Sequence, residues 1–144
     1  EPADAPATAS AVQAILNADI LIFGPGSLYT SVIPNLLVTG IRDAVIKSEA
    51  VKIYICNVMT QPGETDGYGA FEHVQALIQQ AGTQFLDYVI PTRLISNKDL
   101  VRHNPQKLAQ VIISLVYRLR LFGKGIQFFD YFFMRQSMRE LKKK

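Results

Sequence analysis

The sequence predicts an α/β fold, a three-layer sandwich around a parallel sheet, and predicts that this fold is half of a larger one. Three observations carry the expectation. The apolar runs Ile20–Phe23, Val51–Val58 and Phe85–Ile90 have strand length, and the first is continuous rather than alternating, the pattern of a strand buried on both faces. Segments of helical spacing separate and follow them, which gives βαβ units joined by right-handed crossovers. Three strands are few for an open sheet of this type, and the 144 residues carry no initiator Met.

The elements follow in order. Residues 1–10 are rich in Ala, Pro, Ser and Thr and read as a flexible lead-in. Ala11–Ala18 places Val12, Ile15 and Leu16 on one helical face. Gly24-Pro25-Gly26-Ser27 ends the first strand, and a helical pattern resumes at Leu28 or Pro34. The second strand gives way to a turn-rich stretch, Met59–Gly69. A helix over Ala70–Ala81 follows, with Gly82 as its C-cap. Pro91 stops the third strand. Asn104-Pro105 then opens a helix, with Asn as cap and Pro in the first turn. Its positions Leu108, Val111, Ile112, Leu115 and Leu119 keep helical spacing, and Gly123 and Gly125 end it. An aromatic helix over Ile126–Lys142 closes the chain. The division expected is therefore residues 1–117 as an α/β domain and 118–144 as a basic aromatic tail.

Composition narrows the function classes. Charged residues are 19% and hydrophobic residues 49%, which excludes a disordered chain. A single cysteine, Cys56, excludes a disulfide framework within the chain and a Cys-rich zinc site. The longest uncharged stretch, Ile20–Ile41, holds Pro25, Pro34 and three glycines, so it is not a transmembrane helix. No charged segment precedes an apolar run at the start, so a cytoplasmic location is expected. Net charge is +3 but uneven: residues 118–144 carry eight basic and two acidic groups, and residues 1–117 carry seven basic and ten acidic. The acidic body argues against nucleic acid as a partner. The tail holds five of the eight phenylalanines. It suits docking on its own fold or on a second copy, or contact with an anionic membrane; docking is the expectation favoured.

The chemistry-bearing residues gather in two loops. Gly24-Pro25-Gly26-Ser27 sits where the first strand ends, the edge at which open α/β sheets bind ligands. Glycine there lets backbone approach a phosphate, and positive φ is expected at Gly26. The loop has no Lys and is neither a Walker loop nor a dinucleotide fingerprint. Without a ligand it reads equally as a tight strand-to-helix turn. Parallel strands would bring the second loop, Asn57 to Tyr68, out beside it. Asn57, Thr60, Gln61, Glu64, Thr65, Asp66 and Tyr68 make that loop polar, suited to a nucleotide or sugar more than to a bare anion. Glu72 and His73 open the next helix, as a capping acid and as a surface residue, ligand or general acid. Arg102, between Asp99 and His103, has the fork to pair with phosphate. Cys56 is expected in the core. Ser27 lacks the nucleophile-elbow pattern, and Glu64 with Asp66 would be the only carboxylate pair for acid–base work.

Three blocks carry a resemblance. Gly24-Pro25-Gly26-Ser27-Leu28-Tyr29-Thr30-Ser31 leads into Ile33-Pro34-Asn35-Leu36-Leu37-Val38. The second block is Cys56-Asn57-Val58-Met59-Thr60-Gln61-Pro62-Gly63-Glu64-Thr65-Asp66-Gly67-Tyr68. The third is Arg102-His103-Asn104-Pro105-Gln106-Lys107-Leu108-Ala109. Together they resemble the gluconeogenesis-factor family, which groups with the 2-phospholactate transferase-like proteins, over about residues 10–115. The resemblance implies a Rossmann-like fold, of which this chain is the C-terminal part, and a cytoplasmic bacterial protein. It implies a factor that binds a UDP-sugar and supports cell shape during growth on gluconeogenic carbon sources. On that analogy Gly24, Pro25, Gly26, Ser27, Tyr29 and Thr30 line the nucleotide pocket with Asn57, Thr60 and Gln61, while Tyr68 and Arg102 contact the nucleotide sugar. The resemblance implies no required cofactor. The alternative it implies is a transferase acting on a nucleotide-linked phospholactyl donor and a flavin-like acceptor, with a divalent metal. The partners implied are a nucleotide sugar and a second copy of the chain. Three departures stand out: the family's N-terminal half with its own Gly-rich loop is absent, only Leu94–Val101 precedes Arg102 where relatives carry more, and Glu72 stands where Asp is usual.

Overall fold

The computed structural model describes residues 5–57, 59–90 and 105–122. They fall into two units, divided after residue 92. The first unit runs α1 (Ala9–Leu16), β1 (Ile20–Phe23), a π-helical turn (Leu28–Val32), α2 (Ile33–Leu37), α3 (Thr39–Lys47), β2 (Val51–Ile55), α4 (Ala70–Ala81) and β3 (Tyr88–Ile90). The second is described by α5 (Pro105–Phe122).

The three strands form one parallel sheet in the order β1-β2-β3. Parallel neighbours need crossovers, and the helices supply them: α2 and α3 between β1 and β2, α4 between β2 and β3. Register sets Phe23 beside Tyr54 and Tyr54 beside Val89, so these side chains share a face. On it one core joins Leu28, Val32, Leu36 and Val45 from the first crossover with Leu77, Ala81 and Phe85 from the second, around Tyr54 and Cys56. Both crossovers thus lie on the same side of the sheet. Phe23 meets Phe85 edge to face, with ring centroids 5.3 Å apart, which ties the end of β1 to the core.

The central strand is β2, and all five of its residues are buried. Lys52 is among them. Its Nζ donates to the carbonyls of Ser48 and Ala50 at 2.6 and 3.0 Å, so the buried ammonium is solvated by backbone oxygens. Its own amide donates to Asp87 Oδ2 at 2.8 Å, fixing the approach to β3.

Several expectations are corrected. β1 was expected to be buried on both faces, but Ile22 is 47% exposed. The reason is its place in the sheet: among the described strands β1 has one neighbour only. The second strand stops at Ile55, because Cys56 and Asn57 already belong to the loop, and the third begins at Tyr88. Phe85 and Leu86 are buried as a lead-in to it. Gly82 takes φ 79° and closes α4 through its amide to Ile78 O at 2.9 Å, as the sequence predicts. Helix α5 starts at Pro105 and continues through residue 117 to Phe122, with Leu108, Ile112, Leu115 and Leu119 half-buried along one stripe. Val111, assigned to that stripe, is exposed. The tail from residue 123 lies outside the described residues.

Candidate functional site

The site is built where β1 and β2 end. Beyond Phe23, Gly24 takes φ +82°, and a Cβ at this position would stand 2.8 Å from the carbonyl oxygen of Ile55. Only glycine permits both the left-handed backbone and the close approach to β2. The Gly24-Pro25 peptide is cis. Gly26 does not have a positive φ, so the expectation placed there belongs to Gly24. A Cβ on Gly26 would meet Ser31 Cβ at 3.2 Å. Gly26 is therefore set by crowding from the next turn.

Ser27 organises that turn. Its carbonyl accepts from the amides of Ser31 and Val32, both at 3.0 Å, the second of these closing the wide π-helical loop. Its hydroxyl accepts from the Thr30 amide at 3.4 Å. The same hydroxyl donates to Glu64 Oε2 at 2.8 Å, across 37 residues of sequence. A second bridge lies beside it in sequence: Tyr29 Oη and Tyr68 Oη are 3.0 Å apart. Two hydrogen bonds therefore join the loop after β1 to the loop after β2, the pairing that parallel strands predict.

The second loop is held from within. Thr65, 1% exposed, accepts the Gln61 amide on its hydroxyl at 2.8 Å. The Gln61 carbonyl accepts from the amides of Glu64 and Thr65 at 3.0 and 2.9 Å. Asp66 Oδ2 accepts from Gly63 at 2.7 Å, and Gly63 and Gly67 take φ +80° and +74° in the turns. Gln61 Oε1 is buried without a hydrogen-bond partner. Asn57 is half-buried at the head of this loop, and Thr60 is exposed on it.

Tyr68 is fixed from three directions. Its amide donates to Thr65 O at 3.0 Å, its hydroxyl meets Tyr29, and its ring stands edge to face with His73, centroids 5.6 Å apart. His73 is 3% exposed, and its Nδ1 lies 2.8 Å from Gly69 O. A carbonyl only accepts, so Nδ1 carries the hydrogen. Glu72 Oε2 accepts the Gly69 amide at 2.7 Å and caps α4. Ser27 is thus paired with a carboxylate and His73 with backbone, so the described residues contain no Ser–His nucleophile pair. The Tyr29 phenol has its pKa raised, first by its hydrogen bond to Tyr68 and then by burial. Burial pushes the Cys56 thiol up to about 11, which suits a core residue and not a nucleophile.

An open groove of about 650 Å³ runs along β1. Leu21, Ile22, Phe23, Val38, Ile41 and Val45 give it apolar lining, and Gly24, Pro25, Ser31 and Asn35 line it too. Of the expected site residues among those described, only Gly24 and Pro25 reach it. Arg102 lies outside the described residues, as do Asp99 and His103. Sequence reasoning missed what Ser27 and Tyr29 bond to, and it offered His73 as a surface residue, ligand or general acid, whereas the side chain is buried against Tyr68. The pairing of two loops 37 and 39 residues apart is a tertiary fact that neither motif shows alone.

The comparisons with known proteins bear on the family and the fold. The family model for 2-phospho-L-lactate transferase CofD matches residues 1–121. A gluconeogenesis factor of Halalkalibacterium halodurans is 43% identical, over 94% of this chain and 42% of that protein. A gluconeogenesis factor of Bacillus subtilis is 54% identical, over 62% of this chain and 27% of that protein. A crystal structure of a Bacillus halodurans protein superposes with a TM-score of 0.71 at 36% identity, covering 78% of this chain and 48% of that one. The chain spans less than half the length of these relatives. The chain belongs to the family of 2-phospho-L-lactate transferase CofD, alongside the gluconeogenesis factors that it resembles in sequence.

Proposed function

We propose that this chain supplies one wall of a nucleotide-sugar site in a gluconeogenesis factor, a regulatory protein and not a catalyst. The observation that carries the reading is the pair of bridges, Ser27 to Glu64 and Tyr29 to Tyr68, which hold two polar loops together at the carboxyl edge of a parallel sheet. Ligands of open α/β sheets bind at that edge. The loops offer hydroxyls, amides and backbone N–H groups, the donors and acceptors that sugars and uracil share. The ligand proposed is a UDP-sugar, with Gly24 to Thr30 beneath the nucleotide and Tyr68 on its sugar part; Arg102, outside the described residues, is carried over from the family resemblance alone. In the cell this would be a cytoplasmic factor supporting cell shape during growth on gluconeogenic carbon. Among the described residues, no helix is long and apolar enough to cross a membrane.

The family name favours a second reading, a phospholactyl transferase with a divalent metal. The carboxylates here fit that poorly. Glu64, Asp66 and Glu72 each accept a hydrogen bond from within the fold. No group of three His, Cys, Asp or Glu is disposed to hold a metal among the described residues. Calorimetry with a UDP-sugar, and separately with a flavin-type acceptor, discriminates. Binding of the UDP-sugar that Arg102→Ala weakens by about ten- to a hundredfold supports the factor, the range for a charge-assisted bond. Binding of the flavin-type acceptor alone would support the transferase.

A further inference from the structure

We infer that the groove along β1 is an interface for another stretch of polypeptide: a β-strand that adds to the free edge of β1, parallel to it, and sets alternate apolar side chains into the groove. The partner is the part of the longer family members that this chain does not span.

The ladder fixes which backbone groups are on offer. Val51 N donates to Asp19 O at 3.0 Å. In a parallel ladder, alternate residues of a strand turn to the same neighbour. Leu21 and Phe23 therefore turn to β2, and Ile20 and Ile22 turn their N–H and C=O groups to the other edge. Among the described residues no strand lies on that edge. It lacks the usual defences against strand addition, since Ile20-Leu21-Ile22-Phe23 has no charge and no proline, and Ile22 is exposed.

The packing stops short at the same edge. Phe23 lies on the Tyr54 face of the sheet, and Leu21, two residues earlier, lies on that face too. Both line the groove together with Val32 and Val45, which also belong to the core. The groove is thus a gap in the flank of the core and not a separate surface pocket. Closed cores leave few voids larger than a water molecule, and this one is about 650 Å³. An added strand would continue the row of Leu21 and Phe23 with its own inward side chains.

Topology gives the direction and the source. The strand order is β1-β2-β3, and the crossover helices α2, α3 and α4 lie on one side of the sheet. Helix α1 lies on that side as well: it packs against α3, and its Ile15 meets the same core and lines the groove. Crossovers between parallel strands are right-handed. With α1 on this side, a strand leading into α1 stands on the side of β1 away from β2, parallel to it. The longer relatives have polypeptide to supply such a strand: the match covers 42% of the Halalkalibacterium halodurans factor and 48% of the superposed crystal structure. A second copy would instead bring β1 to β1 antiparallel across a two-fold axis, against the direction that the crossovers set.

The test is co-expression of the whole chain with the remaining part of the Halalkalibacterium halodurans factor, followed by co-purification and amide hydrogen exchange. The two should purify as a one-to-one complex. The amides of Ile20 and Ile22 should exchange fast in the chain alone and slowly in the complex, while those of Leu21 and Phe23, turned to β2, change little. Ile22→Lys, which puts a charge on the edge, should abolish the complex, and Phe71→Lys, at an exposed position of α4, should leave it intact. If the melting curve shows that Ile22→Lys does not fold, the exchange of Ile20 and Ile22 in the parent decides. No complex, a complex that Ile22→Lys retains, or one that leaves the exchange of Ile20 and Ile22 unchanged would overturn the inference. Slow exchange of both amides in the chain alone would overturn it as well, in favour of a second copy where the chain sediments as a dimer.

Discussion

Replacing Gly24 by alanine isolates what the end of β1 demands of its sequence. Two costs add at this position. The backbone is held at φ +82°, and a side chain in left-handed backbone costs about 1–2 kcal/mol. The new Cβ would also stand 2.8 Å from the Ile55 carbonyl oxygen, closer than real Cβ atoms approach. That oxygen belongs to the buried central strand, so it cannot swing away as a flexible side chain would. Overpacking of this kind costs roughly 1–3 kcal/mol. Together the loss is about 2–5 kcal/mol, a large part of the ~5–15 kcal/mol that holds a domain folded. Gly63 provides the control: its φ is +80°, but a Cβ there meets nothing within 4 Å. Gly63→Ala should cost the backbone part alone, about 1–2 kcal/mol. Urea unfolding of both variants, compared at equal slope, reads the difference. Equal losses in the two would refute the argument that the Gly-rich loop is pressed against β2.

Two further outcomes follow from the same geometry. Ser27→Ala removes a hydroxyl that caps one turn and bridges to Glu64. It should lower stability by about 1–2 kcal/mol, because the bridge is only partly buried, and Glu64→Ala in that background should add little. Alkali should destabilise the fold through Cys56. Burial raises its pKa, so the folded chain keeps a proton that the unfolded chain releases. Its stabilising contribution is whole below the ordinary thiol value of 9.0 and is lost as pH rises towards about 11. The loss is about 2–3 kcal/mol. Cys56→Ala should flatten the fall in unfolding free energy between pH 9.0 and the ordinary phenol value of 10.0, above which buried Tyr54 adds its own.

Periodicity and punctuation made much of this fold legible. Gly82 marked the end of α4 and Pro105 the start of α5, because a helix end accepts a glycine at positive φ or a proline without an N–H where a helix interior does not. The parallel sheet followed from short apolar runs alternating with helices. Burial of β1 was not legible, since a continuous apolar run says that a strand can be covered on both faces and not that it has neighbours on both sides. The π-helical turn was not legible either. It depends on Ser27 O accepting two amides at once, a matter of local geometry with no residue signature. In the site, the two loops were visible as motifs, and their adjacency followed from parallel strands. The identity of the bridging pairs did not. Glu64 read as a candidate acid–base residue and proved to be the acceptor for Ser27, while His73 proved to be the wall behind Tyr68.

The most direct test of the nucleotide-sugar reading is a titration of the isotopically labelled chain with a UDP-sugar, followed through backbone amide shifts. The account predicts that saturable shifts concentrate in residues 24–30 and 57–69, on both sides of the Ser27–Glu64 and Tyr29–Tyr68 bridges. Shifts confined to α5, or no shifts with a chain that unfolds cooperatively, would contradict it.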